Sequence, residues 1–157
     1  MSNLNLIIWK EFKIKEIFFV KRGKRLKSEN RKNGNINYYS TSNFNNGLTD
    51  KISNPLFIEK KSIIFTTFGY CYYIEDIFTA SDEVNILKLK SGNLNKWIGL
   101  FLVTIINQLK HKFSFGRKAF MNRILNEVIS LPIDNENNPN WEFMEKYIKE
   151  RTKNIYL

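Results

Sequence analysis

The chain has 157 residues, enough to bury roughly two thirds of the surface its unfolded form exposes. Hydrophobic residues at 43% and aromatics at 15% exclude a disordered segment, and a single cysteine, Cys71, excludes an intramolecular disulfide or a cysteine-cluster zinc site. Lys and Arg number 25 against 15 Asp and Glu, a net charge of +10. That field attracts polyanions, nucleic acid first among them, unless the charge serves solubility alone.

Residues 1–9 lack a basic region ahead of an apolar run, and Leu6-Ile7-Ile8 is too short for a signal core, so a protein that is not exported is expected. Residues 10–32 hold ten basic side chains against three acidic ones. Within them Phe12, Ile14 and residues 17–20 predict a short helix or strand running into a turn at Gly23. Residues 24–35 read as a polar loop and residues 36–41 as a strand. Asn43-Phe44-Asn45-Asn46-Gly47 predicts a turn, because Asn and Gly accept positive φ at least cost. Residues 61–68 and 70–78, rich in β-branched and aromatic side chains around Gly69, predict two tightly joined strands, and residues 84–89 predict another.

The pattern then changes period. Trp97, Ile98, Phe101, Leu102, Ile105, Ile106 and Leu109 recur at helical spacing, predicting a buried helix over 94–109. Residues 120–129 predict a second helix through Met121, Ile124, Leu125 and Val128, stopped by Leu131-Pro132. A third begins near Asn140, with Glu142 and Glu145 early, Lys149, Arg151 and Lys153 late, and Trp141, Met144 and Ile148 as a packing stripe. The longest apolar stretch, residues 97–106, is about half a bilayer span, so no membrane association is expected and a reducing cytoplasm suits the lone thiol. No internal repeat or linker divides the chain, which reads as one α+β domain over 1–157.

Catalytic signals are weak. His111 is the single histidine, and Gly23-Lys24 lacks the upstream glycine and the hydroxyl residue of a phosphate-binding loop. Asn54-Pro55-Leu56-Phe57 comes near the Asn-Pro-Pro-aromatic motif of DNA amino-methyltransferases but lacks the second proline, and no Gly-rich cofactor loop accompanies it. Asp50 with Glu59-Lys60-Lys61 sketches a metal-dependent nuclease, yet Glu11-Phe12-Lys13 shows the same spacing by chance in a Lys-rich chain. No cofactor or metal is implied.

Binding signals are stronger. Lys21-Arg22-Gly23-Lys24-Arg25, with Lys27 following, and residues 111–118, with Ser114, Arg117 and Lys118, offer two basic clusters able to neutralise phosphates. Each could equally be a solvated face. Between them Tyr39, Thr41, Asn43, Asn45 and Asn46 lie on one loop and Thr66, Thr67 and Tyr70 around the Gly69 turn. Amides of this kind bond adenine bidentately in the major groove, or else cap their own turns.

Taken in order, Trp9-Lys10-Glu11-Phe12, Arg22-Gly23-Lys24-Arg25-Leu26, Ile36-Asn37-Tyr38-Tyr39-Ser40, Asn45-Asn46-Gly47, Ala80-Ser81-Asp82-Glu83-Val84-Asn85-Ile86-Leu87, Phe113-Ser114-Phe115-Gly116-Arg117, Leu131-Pro132 and Asn138-Pro139-Asn140-Trp141 resemble the target-recognition domain of restriction-modification specificity subunits, of Type I and of related bifunctional Type II systems. The resemblance covers nearly the whole chain. It implies a twisted β core with bracing helices, loops that enter the DNA major groove, and a C-terminal helix, 141–155, leading toward a spacer. It further implies that Arg22, Lys24, Arg25 and Arg117 contact backbone or bases, that the 39–46 loop and residues 66–70 read sequence, and that catalysis belongs to a DNA methyltransferase or restriction partner. Two departures stand out. Full subunits carry two such domains and two long spacers, so a bipartite target requires a second copy, by homodimerisation or by a second recognition domain in a longer chain. The 66–69 segment is also shorter than the Gly-containing loop that relatives place there. A nonspecific nucleic-acid binder and the small nuclease are the competing readings.

Overall fold

The structure, a computed structural model, describes residues 6–42, 44–113 and 117–155. Strand β1 (Trp9–Lys13) runs into a single buried turn, α1 (Ile14–Ile17), and out again as β2 (Phe18–Arg22). The sequence left helix and strand open here, and the chain uses both in succession. β3 (Asn33–Tyr39) and β4 (Leu48–Ile52) form an antiparallel pair around the Asn-rich turn. β5 (Ser62–Thr66) and β6 (Cys71–Ile74) pair across the turn at Gly69, whose φ of +88° only glycine holds without strain. β7 (Phe78–Ala80) and β8 (Val84–Leu89) complete the middle of the chain.

The strands sort into three sheets: β1-β9, β2-β8-β5-β6, and β4-β3-β7, where β9 is Val128–Pro132. The four-stranded sheet is the centre, and its side chains explain why. Along β5, Ile63 and Phe65 point into a large core with the helices, whereas Ile64 points into a smaller core with Tyr39, Phe78 and Ala80. β8 divides the same way, Leu87 to the helices and Val84 and Ile86 to the smaller core. Period-two alternation on a sheet covered on both faces leaves every residue of β5 buried, with Ile63, Ile64 and Phe65 apolar between a buried Ser62 and Thr66.

Helix α2 (Lys96–Asn107) lies on β6 and carries Ile98, Phe101, Leu102 and Ile106 into the large core. Its first turn is capped by the Asn95 side chain, which accepts hydrogen bonds from the Trp97 and Ile98 amides at 3.0 Å. α4 (Trp141–Lys153) packs on α2, capped in the same manner by Asn140.

Two expectations are corrected. The helix expected over 120–129 is only α3 (Met121–Asn126); Glu127 turns to extended geometry, and Val128 and Ile129 enter β9, where Phe12 faces Ile129. Phe78 does not end the strand that begins after Gly69: β6 stops at Ile74, and Phe78 opens β7, which runs parallel to β3 in the other sheet. Both differences arise from pairing with strands far away in sequence, which local periodicity does not register.

Candidate nucleic-acid interface

The basic turn after β2 is fixed by backbone. Gly23 donates to the Val84 carbonyl and Lys24 to the Ala80 carbonyl, each at 3.0 Å. A Cβ at Gly23 would meet the Ser81 oxygen at 2.3 Å and the Ala80 oxygen at 2.4 Å, so only glycine allows this approach. The docking sets two guanidinium groups against one corner. Arg22 donates from Nε to the Asp82 carbonyl at 2.9 Å and from Nη2 to the same oxygen, with its Cζ 5.8 Å from the Phe120 ring centre. Arg25 donates from Nε to the Asp82 carboxylate at 2.7 Å, and its Nη2 lies 3.6 Å from Glu83. Arg22, Lys24, Arg25 and Lys27 are exposed. A polar hollow of about 300 Å³ opens beside them, with Arg25, Lys27, Arg31, Ser40 and Ser81 in its wall. Arg31 is held there by the Leu26 carbonyl, at 2.8 Å, and by the Tyr38 ring beneath its Cζ, at 4.2 Å.

Beyond Ser40 the chain makes a tight loop in which Asn45, Asn46 and Gly47 have φ of 50°, 55° and 84°. Phe44 stands at its tip, 79% exposed. Across from it a wide cleft of about 980 Å³ is walled by Thr41, Phe44, Phe68, Tyr70, Lys110 and His111 among others. The Lys110 amine lies 4.1 Å over the Tyr70 ring and the Lys118 amine 5.7 Å over Phe68. Backbone hydrogen bonds join this cleft to the arginine corner, from Thr67 to the Glu83 carbonyl at 3.1 Å and from Ala119 to the Thr67 carbonyl at 2.7 Å. Cation–ring contacts therefore recur on these neighbouring segments, Arg22 with Phe120, Lys118 with Phe68 and Lys110 with Tyr70.

Residues 7–156 match the family model of the Type I restriction modification DNA specificity domain. The chain belongs to this family. It is 33% identical over 156 residues to the Type II restriction enzyme specificity subunit S.BcgI of Heyndrickxia coagulans, a match that covers 94% of this chain and 45% of that one. Among solved structures it resembles the S subunit of a Type I restriction-modification system from M. genitalium, with TM-score 0.66, 18% identity, and coverage of 98% of this chain and 42% of that chain. It also resembles the HsdS subunit of Thermoanaerobacter tengcongensis, with TM-score 0.64, 13% identity, and coverage of 99% and 40%. These likenesses establish the mixed sheet-and-helix fold. The specificity domain thus spans less than half the length of the relatives it matches.

Within this specificity domain the expected contact residues separate by burial. Arg22, Lys24, Arg25, Lys27, Asn45, Asn46, Arg117 and Lys118 are exposed, while Thr41 and Tyr70 are half-buried in the cleft wall. Asn43 and Ser114 lie outside the described residues. Tyr39, Thr66 and Thr67 are buried. Tyr39 is 6% exposed, packed edge-on against Phe78 at 5.7 Å, and burial pushes its hydroxyl above the usual tyrosine range. Thr66 is fully buried, and its hydroxyl accepts from the Tyr70 amide at 3.1 Å, shaping the turn. Thr67 is 2% exposed. All three lie beneath the exposed candidate residues.

The nuclease constellation is not assembled. The Glu59 carboxylate sits 2.5 Å from the amines of both Lys21 and Lys88, and Asp50 pairs with Arg31 at 3.7 Å. Among the described residues no group of three acidic, His or Cys side chains is placed to hold a metal. Nor is any described helix long and apolar enough to cross a membrane. What the sequence reading missed is the exposed aromatic set, Phe44 and Phe120, together with the acids at 82–83. The available signal was Phe placed in turns otherwise made of Asn or Lys, positions where core packing cannot explain it.

Proposed function

We propose that this domain recognises a specific sequence in double-stranded DNA as the specificity component of a restriction-modification system, directing a partner methyltransferase or endonuclease and performing no chemistry itself. The observation that carries the reading is the set of Lys and Arg groups held over Phe120, Phe68 and Tyr70 on segments joined by the backbone bonds of Thr67 and Ala119, in a chain of net charge +10. Cations there fix register on phosphates, a contribution that is insensitive to sequence and falls steeply with salt. Discrimination then comes from fork-shaped and amide donors on base edges, worth about 1–3 kcal/mol for each good bidentate pair. Arg22, Lys24, Arg25, Lys27, Arg117 and Lys118 take the first task or share in the second, and Thr41, Asn45, Asn46 and Tyr70 supply neutral contacts.

The domain acts in the cytoplasm, where its DNA is. A bipartite site calls for a second copy or a second recognition domain, and α4 (Trp141–Lys153) is the segment that leads toward the spacer joining them. A solved chain of the same fold, with TM-score 0.68 and 12% identity, comes from work on complex assembly and conformational transition of the type I R-M system. Such assembly is the setting in which we place this chain.

Selection of bound sites from a randomised duplex pool at near-physiological salt tests the reading. An enriched motif of a few base pairs is expected. A flat pool whose retention merely falls with salt would leave a nonspecific binder and overturn it.

A further inference from the structure

An acid in the middle of a surface built for a polyanion needs a reason. The Asp82 side chain is 44% exposed and its charge opposes phosphate, yet it lies against the exposed Arg25 guanidinium. Exposed ion pairs of this kind contribute little to stability, so stability does not account for it. Geometry does. Arg22 and Arg25 both turn their Nε–Nη2 edges to the 82–83 corner, so neither Nη1 is used there.

From this, and resting on the DNA-recognition reading above, we infer that the Asp82 corner is a positioning device that holds Arg22 and Arg25 as two fixed forks, each reading a guanine edge. A phosphate is satisfied by a cation in many orientations. Guanine presents its O6 and N7 acceptors in one plane, and a planar guanidinium meets both only when its own plane is set in advance.

The two arginines are held differently, and this supplies an internal control. Arg22 is fixed by the backbone carbonyl of residue 82 and by the face of Phe120, neither of which depends on the side chain at 82. Arg25 is fixed by the Asp82 carboxylate, with Glu83 more distant at 3.6 Å. Removing the carboxylate therefore releases Arg25 alone.

The test is site selection from the randomised duplex pool with the full chain, comparing the parent with Asp82→Ala, Asp82→Asn, Arg25→Lys and Arg22→Lys. Asp82→Ala and Arg25→Lys are expected to erase the same guanine preference, on the order of tenfold in affinity against the other bases, while Arg22→Lys erases a different one. Asp82→Asn, which keeps an oxygen acceptor, restores part of what Asp82→Ala loses. Affinity of Asp82→Ala for unselected duplex stays level or rises, since one opposing charge is gone.

A parent motif retained unchanged in Asp82→Ala and Arg25→Lys overturns the inference. So does a uniform loss at all positions, which would make Arg25 a phosphate contact. If the parent itself selects nothing, the recognition reading fails and the inference falls with it, an outcome distinct from the other two. Should Asp82→Ala fail to fold, Arg25→Lys still decides through the position it erases.

Discussion

Two places in this domain set an acidic residue beside two cations, and they use it differently: Glu59 offers its carboxylate to both, whereas Asp82 offers its carboxylate to Arg25 and its backbone carbonyl to Arg22. Glu59 lies 2.5 Å from both Lys21 on β2 and Lys88 on β8, with its side chain only 11% exposed. Its own backbone exchanges hydrogen bonds of 2.9 and 2.8 Å with Phe78 of β7, so this residue ties the three-stranded sheet to the central one. Asp82, whose side chain is 44% exposed, pairs through its carboxylate with Arg25 and takes Arg22 of β2 on its backbone carbonyl. In water the Coulomb gain between exposed charges is small and screened, whereas a shielded pair loses little to solvent. The same residue chemistry thus holds sheets together in one place and orients side chains toward solvent in the other, and the shielding of the acid decides which.

The sharpest break in this comparison comes from Gly23→Ala. The arginine corner exists because Gly23 lies against the Ala80 and Ser81 carbonyls, and a methyl group cannot fit at 2.3 Å from a backbone oxygen. About 2–3 kcal/mol of stability should be lost, a fall of roughly 5–10 °C in Tm for a domain of this size. Loss of site selection should accompany it. An unchanged Tm would mean that the corner is not anchored by backbone at all.

Glu59→Gln comes next. It leaves two lysines beside a neutral amide, and about 1–2 kcal/mol should go, read as a lower midpoint in urea. The pH dependence carries a sign. Burial alone raises the Glu59 carboxyl pKa, but the hydrogen bonds and charges of Lys21 and Lys88 outweigh it and hold it below the usual carboxylate range. The contribution is therefore complete above that range and fades as pH falls through it toward the lowered value. The stability gap between the parent and Glu59→Gln should narrow steadily between about pH 5 and pH 3; a gap that stays constant would remove Glu59 from the role given to it.

Thr67→Val tests the floor between the two nodes. The Thr67 hydroxyl is buried and finds no hydrogen-bond partner among the described residues, so an apolar isostere should be neutral or stabilise by about 0.5–1 kcal/mol. The selected DNA site should not change. A changed site would return Thr67 to the reading surface from which its burial removes it.

How these residues divided was only partly legible in the sequence. Helices α2 and α4 followed from apolar spacing, and β5, β6 and β8 from β-branched and aromatic runs, because the signals that form them are local. β7 and β9 were not legible: each is short, and each exists because it pairs with a strand some 40 or more residues away in the chain. At the candidate interface the cation clusters stood out as clusters. Their partners did not, since Asp82 is 57 residues from Arg25 and 60 from Arg22. Thr66 and Thr67 carry polar letters, yet the fold buries both at the end of β5. Tyr39 is buried as well. An amphipathic ring beside an Asn-rich turn looks available, while the fold spends its area against Phe78 and its hydroxyl on Asn37.

The smallest expected effect is the most telling about the comparison. Asp82→Ala should change stability by no more than about 0.5 kcal/mol, because the pair it breaks is exposed and the backbone bonds of Gly23 and Lys24 still set the corner. Measured by urea unfolding beside Glu59→Gln, it should look like a silent surface change at every salt concentration, since an interaction already screened has little left to lose. If Asp82→Ala instead cost as much as Glu59→Gln, and the cost shrank in high salt, the arginine corner would be a structural clamp like the lysine one. Its fixed forks would then be a by-product of folding. A silent result leaves orientation as the one property the carboxylate supplies, and ties the side chain of residue 82 to what Arg25 meets outside the protein.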